Sequence, residues 1–259
     1  MLLKISDKII GYEKEINFFL DLFKKNILPK TLMLTGSEGI GKYTLALHLV
    51  NLFIGGKKNN IEESLNKNLN VLILKKKDTQ KEYRLEDINK IKDFCKYKFL
   101  DNKPKYIVLK NYNFLNDNSV NSLLKLTEEQ KTNLYFVFTS NTFDKRIETL
   151  ESRFFIKKIF LKTSYYEDIF VNFINSNNIE NMDYDNINKD TPGNFIRKKL
   201  FELNPDLYEI KKNDEILFYK IFSSKILHKP SLNNNKILKN LKLNLFLNND
   251  IKNLIKKYS

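Results

Sequence analysis

Residues 31–50 constrain the fold more than any other stretch of this chain. Thr31-Leu32-Met33-Leu34-Thr35 is an apolar run of strand length. Gly36-Ser37-Glu38-Gly39-Ile40-Gly41-Lys42 follows at once, and Leu45, Ala46, Leu47, Leu49 and Val50 continue as a helix. A glycine loop between a strand and a helix is a frame for phosphate, because backbone amides approach an anion closely only where side chains are absent. Three of the seven glycines of the chain fall in this loop. A glycine-rich turn without a ligand is the plain alternative, and the flanking strand and helix argue against it. The candidate phosphate-binding set is Gly36, Gly39, Gly41, Lys42 and Thr44. The residue after the lysine breaks the pattern. A working loop of this kind carries Ser or Thr there to ligate Mg²⁺ while the lysine reaches the β- and γ-phosphates. Here it is Tyr43, whose long planar side chain cannot take the same place. The pattern predicts a P-loop α/β fold with damaged chemistry.

Four more apolar runs read as strands: Val71 to Leu74, Tyr106 to Leu109, Leu134 to Phe138 running into Thr139-Ser140-Asn141, and Phe155 to Phe160. Helical spacing separates them. It predicts helices over Ile10 to Asn26, Leu85 to about Tyr97, and a stretch capped by Asn116 or Asp117 that carries Val120, Leu123, Leu124 and Thr127. Gly55 to Asn70 reads as a loop. Strands alternating with helices imply a parallel sheet covered on both faces. After about Lys162 the spacing becomes wholly helical, interrupted at Thr191-Pro192-Gly193 and Asn204-Pro205.

Composition excludes several classes. A chain of 259 residues holds one α/β core and one or two small helical modules. It has no run of eighteen apolar residues, so no membrane span is expected, and Met1 to Asp7 turns charged too soon for a secretory signal. The expected location is the cytoplasm. Cys95 is the single cysteine, which excludes an internal disulfide and a cysteine-built zinc site. Its expected place is the apolar face of a helix with Ile88, Ile91 and Phe94. The net charge of +14 has two readings. One is a lysine-rich solvated surface of an A/T-rich coding sequence, since only four basic residues are arginine. The other is a face that meets nucleic acid through phosphates, without reading sequence.

Five stretches come in a telling order: Ile10-Gly11-Tyr12-Glu13, then Gly36 to Thr44, then Asn118-Ser119-Val120-Asn121-Ser122-Leu123-Leu124-Lys125-Leu126-Thr127-Glu128-Glu129, then Thr139-Ser140-Asn141, then Glu151-Ser152-Arg153-Phe154. Together they resemble the AAA+ module of bacterial clamp-loader subunits, most closely the delta-prime subunit of DNA polymerase III. The resemblance is strong over residues 8–160, weaker around Thr191-Pro192-Gly193, and architectural beyond. It implies an AAA+ RecA-like parallel sheet with helices on both faces (residues 1–162), a small helical lid (163–204) and a helical C-terminal collar domain (205–259). It also implies partners: other loader subunits of the gamma/tau and delta types and, through the complex, the sliding clamp and primed DNA.

The departures from the family pattern are as informative. An active member ends its third strand in two acidic residues, one for Mg²⁺ and one that polarises water. Here Tyr106-Ile107-Val108-Leu109 runs into Lys110-Asn111. With Tyr43, both protein contributions to the metal are missing. Delta-prime subunits tolerate such losses. No cofactor is then required, and at most weak ATP or ADP binding is expected, with no metal ligand. Asn141 matches the sensor residue near a γ-phosphate, or is a strand-end turn residue. Arg153 matches the arginine that enters the neighbouring subunit's ATP site, or is an ordinary ion-paired surface arginine. Glu128 and Glu129 sit at a helix end, and neither His48 nor His228 has a companion at ligand spacing. The rivals are an active gamma-type ATPase, an independent nucleotide-processing enzyme and a stand-alone basic DNA-binding protein.

Overall fold

The computed structural model describes residues 9–56, 60–76, 82–96, 103–128, 133–141, 153–177 and 190–203. The chain divides into two compact units, Met1–Ile196 and Arg197–Ser259. The first contains a five-stranded parallel sheet with the order β2-β3-β4-β1-β5. Its elements are α1 (Glu13–Lys24), β1 (Thr31–Thr35), α2 (Lys42–Phe53), α3 (Ile61–Asn66), β2 (Val71–Leu74), α4 (Leu85–Lys96), β3 (Lys105–Leu109), α5 (Asp117–Glu128), β4 (Leu134–Ser140), β5 (Phe155–Lys158) and α6 (Tyr166–Asn177). A last helix, α7 (Pro192–Leu203), runs from the first unit into the second.

Residues alternate between the two faces of a strand, and this sequence uses both faces for apolar groups. Met33, Ile107, Leu109, Phe136 and Phe138 point to one side, where they form a core with Ile88 and Ile91 of α4 and Val120 and Leu123 of α5. Tyr106 and Tyr135 point to the other and stack with centroids 5.2 Å apart. The stack continues through Phe53 of α2, 6.0 Å from Tyr106, to Phe23 of α1, 4.8 Å further on. Helices therefore cover both faces, as the apolar strands require. Each of these large side chains contributes about 1.5–3 kcal/mol by leaving water.

Local chemistry sets the helix starts. Asn116, rather than Asp117, caps α5: its Oδ1 accepts the Ser119 N–H at 2.9 Å. Asp87 reaches back to the Arg84 N–H at 3.0 Å and closes the start of α4. Cys95 packs against the α4–α5 core together with Phe94.

Three element readings need correction. Part of the expected Gly55–Asn70 loop is α3, because Ile61 and Leu65, one turn apart, are 3% and 0% exposed. The first helix is shorter than Ile10–Asn26, since Tyr12 is non-helical and Asn26 is left-handed at φ 56°. Thr191-Pro192-Gly193 opens a helix: Pro192 begins α7, where a missing N–H costs nothing, and Thr191 O accepts the Phe195 N–H at 2.8 Å. Among the described residues no helix is long and apolar enough to cross a membrane. Ser152, Glu129, His228 and the whole collar stretch 205–259 lie outside the described residues.

Candidate functional site

Parallel strands bring their carboxyl ends to one edge of the sheet, where ligands of open α/β sheets bind. The register places Thr35 beside Ser140 and Leu74 beside Leu109. The residues that follow are Gly36 after β1, Asn141 after β4, Lys110-Asn111 after β3 and Lys75 after β2. Every predicted site residue except Arg153 therefore gathers at this edge or on the first turn of α2, with Thr44 half-buried there.

Lys42 opens α2, with Gly41 left-handed before it. Only 5% of Lys42 is exposed, and its Nζ donates to Gly36 O at 2.9 Å and Ser37 O at 2.5 Å. Burial lowers the ammonium pKa from 10.5 to about 8, against an opposing pull from Glu38. The loop carbonyls thus hold the charge that a phosphate would otherwise meet.

Tyr43 turns toward the ends of β2 and β3. Its hydroxyl donates to Glu62 Oε1 of α3 at 2.9 Å, and burial raises the phenol pKa. Glu62 also pairs with Lys75. The Lys110 and Lys75 ammonium groups stand 5.1 and 5.4 Å from the centre of the Tyr43 ring. A phenol, an engaged carboxylate and two cations occupy the side of the loop that faces β3. Lys110 is held in place by its own backbone, whose N–H donates to Leu74 O at 3.0 Å and whose carbonyl accepts from Tyr83 Oη at 2.5 Å.

Asn111 is left-handed at φ 61°, and its N–H donates to Thr139 Oγ1 at 2.9 Å. Its side-chain oxygen is buried without a hydrogen-bond partner. Asn141 is tied to the same corner: its N–H and the Ser140 hydroxyl both donate to Asn113 Oδ1, at 3.0 and 2.7 Å.

The start of α7 packs on the tip of the glycine loop, a contact the sequence did not announce. Gly193 N–H donates to Gly39 O at 2.8 Å. Gly39 is left-handed at φ +80°, and a Cβ there would lie 2.2 Å from Thr191 Oγ1 and 2.9 Å from Asn194 N. Two segments far apart in the chain meet through backbone atoms, and no local pattern encodes that. From the other flank Tyr12 donates to Ile40 O at 2.5 Å, so the chain before α1 also grips the loop.

Arg153 lies apart from this cluster, in the turn before β5. Its Nε and Nη2 both donate to Glu128 Oε1, at 2.6 and 2.5 Å, and both side chains are substantially exposed. Among the described residues, no group of three or more His, Cys, Asp or Glu side chains could hold a metal ion.

A parallel sheet with β1 between β4 and β5, and a glycine loop leading from β1 into a helix, defines a P-loop α/β domain. Residues 11–162 match the model of the family described as DNA polymerase III, delta subunit, and that is more than half of the chain. The protein belongs to this DNA polymerase III delta subunit family. Several solved structures are similar in fold. A DNA polymerase III gamma subunit-related protein of Thermotoga maritima is 14% identical with a TM-score of 0.49, covering 90% of this chain and 92% of that one. The Thermotoga maritima RuvB Holliday junction branch migration motor is 15% identical at 0.42, covering 65% and 51%. The Aeropyrum pernix ORC2 protein is 16% identical at 0.44, covering 66% and 53%. No curated protein sequence matches the chain.

Proposed function

We propose that this chain is a delta-prime-like subunit of a replicative clamp loader, one that does not hydrolyse ATP itself and offers Arg153 to a neighbouring subunit. The observation that carries the reading is the filling of the β3 side of the P-loop by Tyr43, Glu62, Lys75 and Lys110. Magnesium takes oxygen ligands in octahedral array. The hydroxyl expected after Lys42 is replaced, the strand end offers Lys110 and Asn111, and the carboxylate at hand is already engaged by a phenol and an ammonium. These residues do not fit a metal-bound nucleotide, and no hydrolytic step is assigned to them. Lys42 and the loop amides retain the capacity for weak ATP or ADP binding. An active gamma-type subunit would need the Mg²⁺ ligands that are replaced here.

In this reading residues 1–162 are the AAA+ domain, 163–204 the lid and 205–259 the collar that joins the ring. The partners are gamma/tau- and delta-type subunits, with the sliding clamp and primed DNA reached through the complex in the cytoplasm. Arg153 suits the trans role because guanidinium is permanently charged and presents forked donors to a phosphate. Arginines supplied in trans contribute roughly 10³–10⁵ in rate in other nucleotide hydrolases, an upper guide for a ring with several sites. The test is a loader reconstituted with Arg153→Ala and otherwise unmodified subunits. Assembly should be intact, while DNA-stimulated hydrolysis and clamp loading fall. Arg153→Lys should rescue little. Unchanged loading by the Ala variant refutes the trans role, and ATP turnover by the isolated chain that Lys42→Ala abolishes refutes the non-hydrolysing one.

A further inference from the structure

The ion pair between Arg153 and Glu128 joins the end of α5 to the turn at Arg153 before β5. The backbone at Arg153 is anchored twice. Its carbonyl accepts a hydrogen bond from Thr31 Oγ1 at the start of β1, and the next residue, Phe154, is buried with its ring 5.4 Å from that of Phe138. Glu128 is anchored through α5, where the preceding Thr127 is buried and its hydroxyl donates to Leu124 O at 2.8 Å. Both ends of the pair are thus fixed to the core, although the charged groups face solvent.

Helix energetics do not explain Glu128. It is the last residue of α5, where the macrodipole disfavours a carboxylate. An exposed ion pair also adds little to stability. What the pair does determine is orientation. Of the five N–H donors of a guanidinium, two on one edge, from Nε and Nη2, converge on a single oxygen of Glu128. The plane of the fork and the direction of a long, rotamer-rich side chain are then set before any partner arrives. Such pre-alignment counts in catalysis, because a displacement of about 1 Å costs up to about a hundredfold in rate.

We propose that Glu128 is a positioning residue for Arg153, holding the guanidinium in the orientation in which it meets the phosphates of a neighbouring subunit's nucleotide. The inference rests on the reading of Arg153 as a trans-acting group. Glu128 touches no substrate and acts through the arginine alone. A purely structural role would instead place the effect of Glu128 on the fold, independent of what stands at position 153.

The experiment is a double-mutant cycle in the reconstituted loader, with Glu128→Ala, Glu128→Gln, Arg153→Ala and the double variant Glu128→Ala/Arg153→Ala. DNA-stimulated ATPase is resolved into kcat and KM, and the thermal midpoint of each isolated chain is measured. We expect Glu128→Ala to lower kcat about threefold to tenfold with KM and assembly unchanged, and to move the midpoint by no more than about 4 °C. Glu128→Gln, which keeps an acceptor oxygen but loses the charge, should fall between wild type and Ala. The double variant should be no slower than Arg153→Ala, because the carboxylate has nothing left to position. Independent, multiplying losses overturn the proposal, as does a wild-type kcat for Glu128→Ala beside an impaired Arg153→Ala. If Arg153→Ala itself has no effect, the trans-arginine reading fails first and this one with it.

Discussion

Replacing Gly39 by alanine tests whether the tip of the P-loop is built to receive the start of α7. Two costs are separable. The first is conformational: at φ +80° an alanine costs roughly 1–2 kcal/mol against glycine. The second is steric. The new methyl would stand 2.2 Å from Thr191 Oγ1 and 2.9 Å from the Asn194 backbone nitrogen. The threonine side chain can rotate away, but the backbone of α7 cannot, so the helix start must shift. That shift breaks the 2.8 Å hydrogen bond from Gly193 to Gly39, a net loss of about 1 kcal/mol, and overpacking of this kind adds about 1–3 kcal/mol. Gly55 supplies the control. It is also left-handed, at φ +68°, but a Cβ there meets nothing within 4 Å, so Gly55→Ala carries the conformational cost alone. Urea unfolding of the two variants should give a loss of about 1–2 kcal/mol for Gly55→Ala and about 3–6 kcal/mol for Gly39→Ala. Hydrogen exchange at the amides of residues 193–195 should quicken in the second only. Equal losses, with unchanged exchange at the start of α7, would refute the idea that this contact is close-packed.

Three other outcomes follow from the P-loop. Tyr43→Phe removes the hydroxyl that bonds Glu62 and should cost about 1 kcal/mol by urea unfolding, while Tyr43→Thr should leave ATP turnover absent because Lys110 still stands at the end of β3; measurable turnover from the single Thr substitution counts against the reading of the site. Because burial holds Lys42 at about 8 rather than 10.5, the unfolded chain binds more protons at this group between those values, and its contribution to stability is least below pH 8 and grows as the pH rises toward 10.5. The unfolding free energy of the wild type relative to Lys42→Met should therefore improve across that window, and a flat difference would show that the ammonium is not desolvated.

What the sequence disclosed about this protein was local. The strand–loop–helix frame at residues 31–53 is written in contiguous residues, and so are β1, β3 and β4, because a strand buried on both faces has no polar position to hide it. Tyr43 could be read as a departure from one position alone. Its partners could not. Glu62 lies in a stretch read as a loop, and only the burial of Ile61 and Leu65 makes a helix of it. Asn111 and Asn113 organise the corner that carries Asn141, yet Asn is so frequent in this chain that neither stood out. Glu128 was visible as a helix-end residue, but its pairing with Arg153 depends on α5 and β5 being brought together. The packing of Gly193 on Gly39 had no sequence signal beyond two glycines, since a backbone contact leaves no side-chain pattern.

The order of the strands has a consequence during synthesis. β1 is the first strand of the sheet to emerge, yet both of its neighbours, β4 and β5, come from residues 134–158. At about 5–20 residues per second, the roughly 120 residues between the end of β1 and the end of β5 take about 6–25 s to translate. Until β4 emerges, Thr31–Thr35, all five of whose residues are buried in the folded protein, has no native strand to pair with on either side. The nascent chain must carry this strand without its full set of partners until β5 has cleared the ribosome, so this short segment is where a holding chaperone would be needed first.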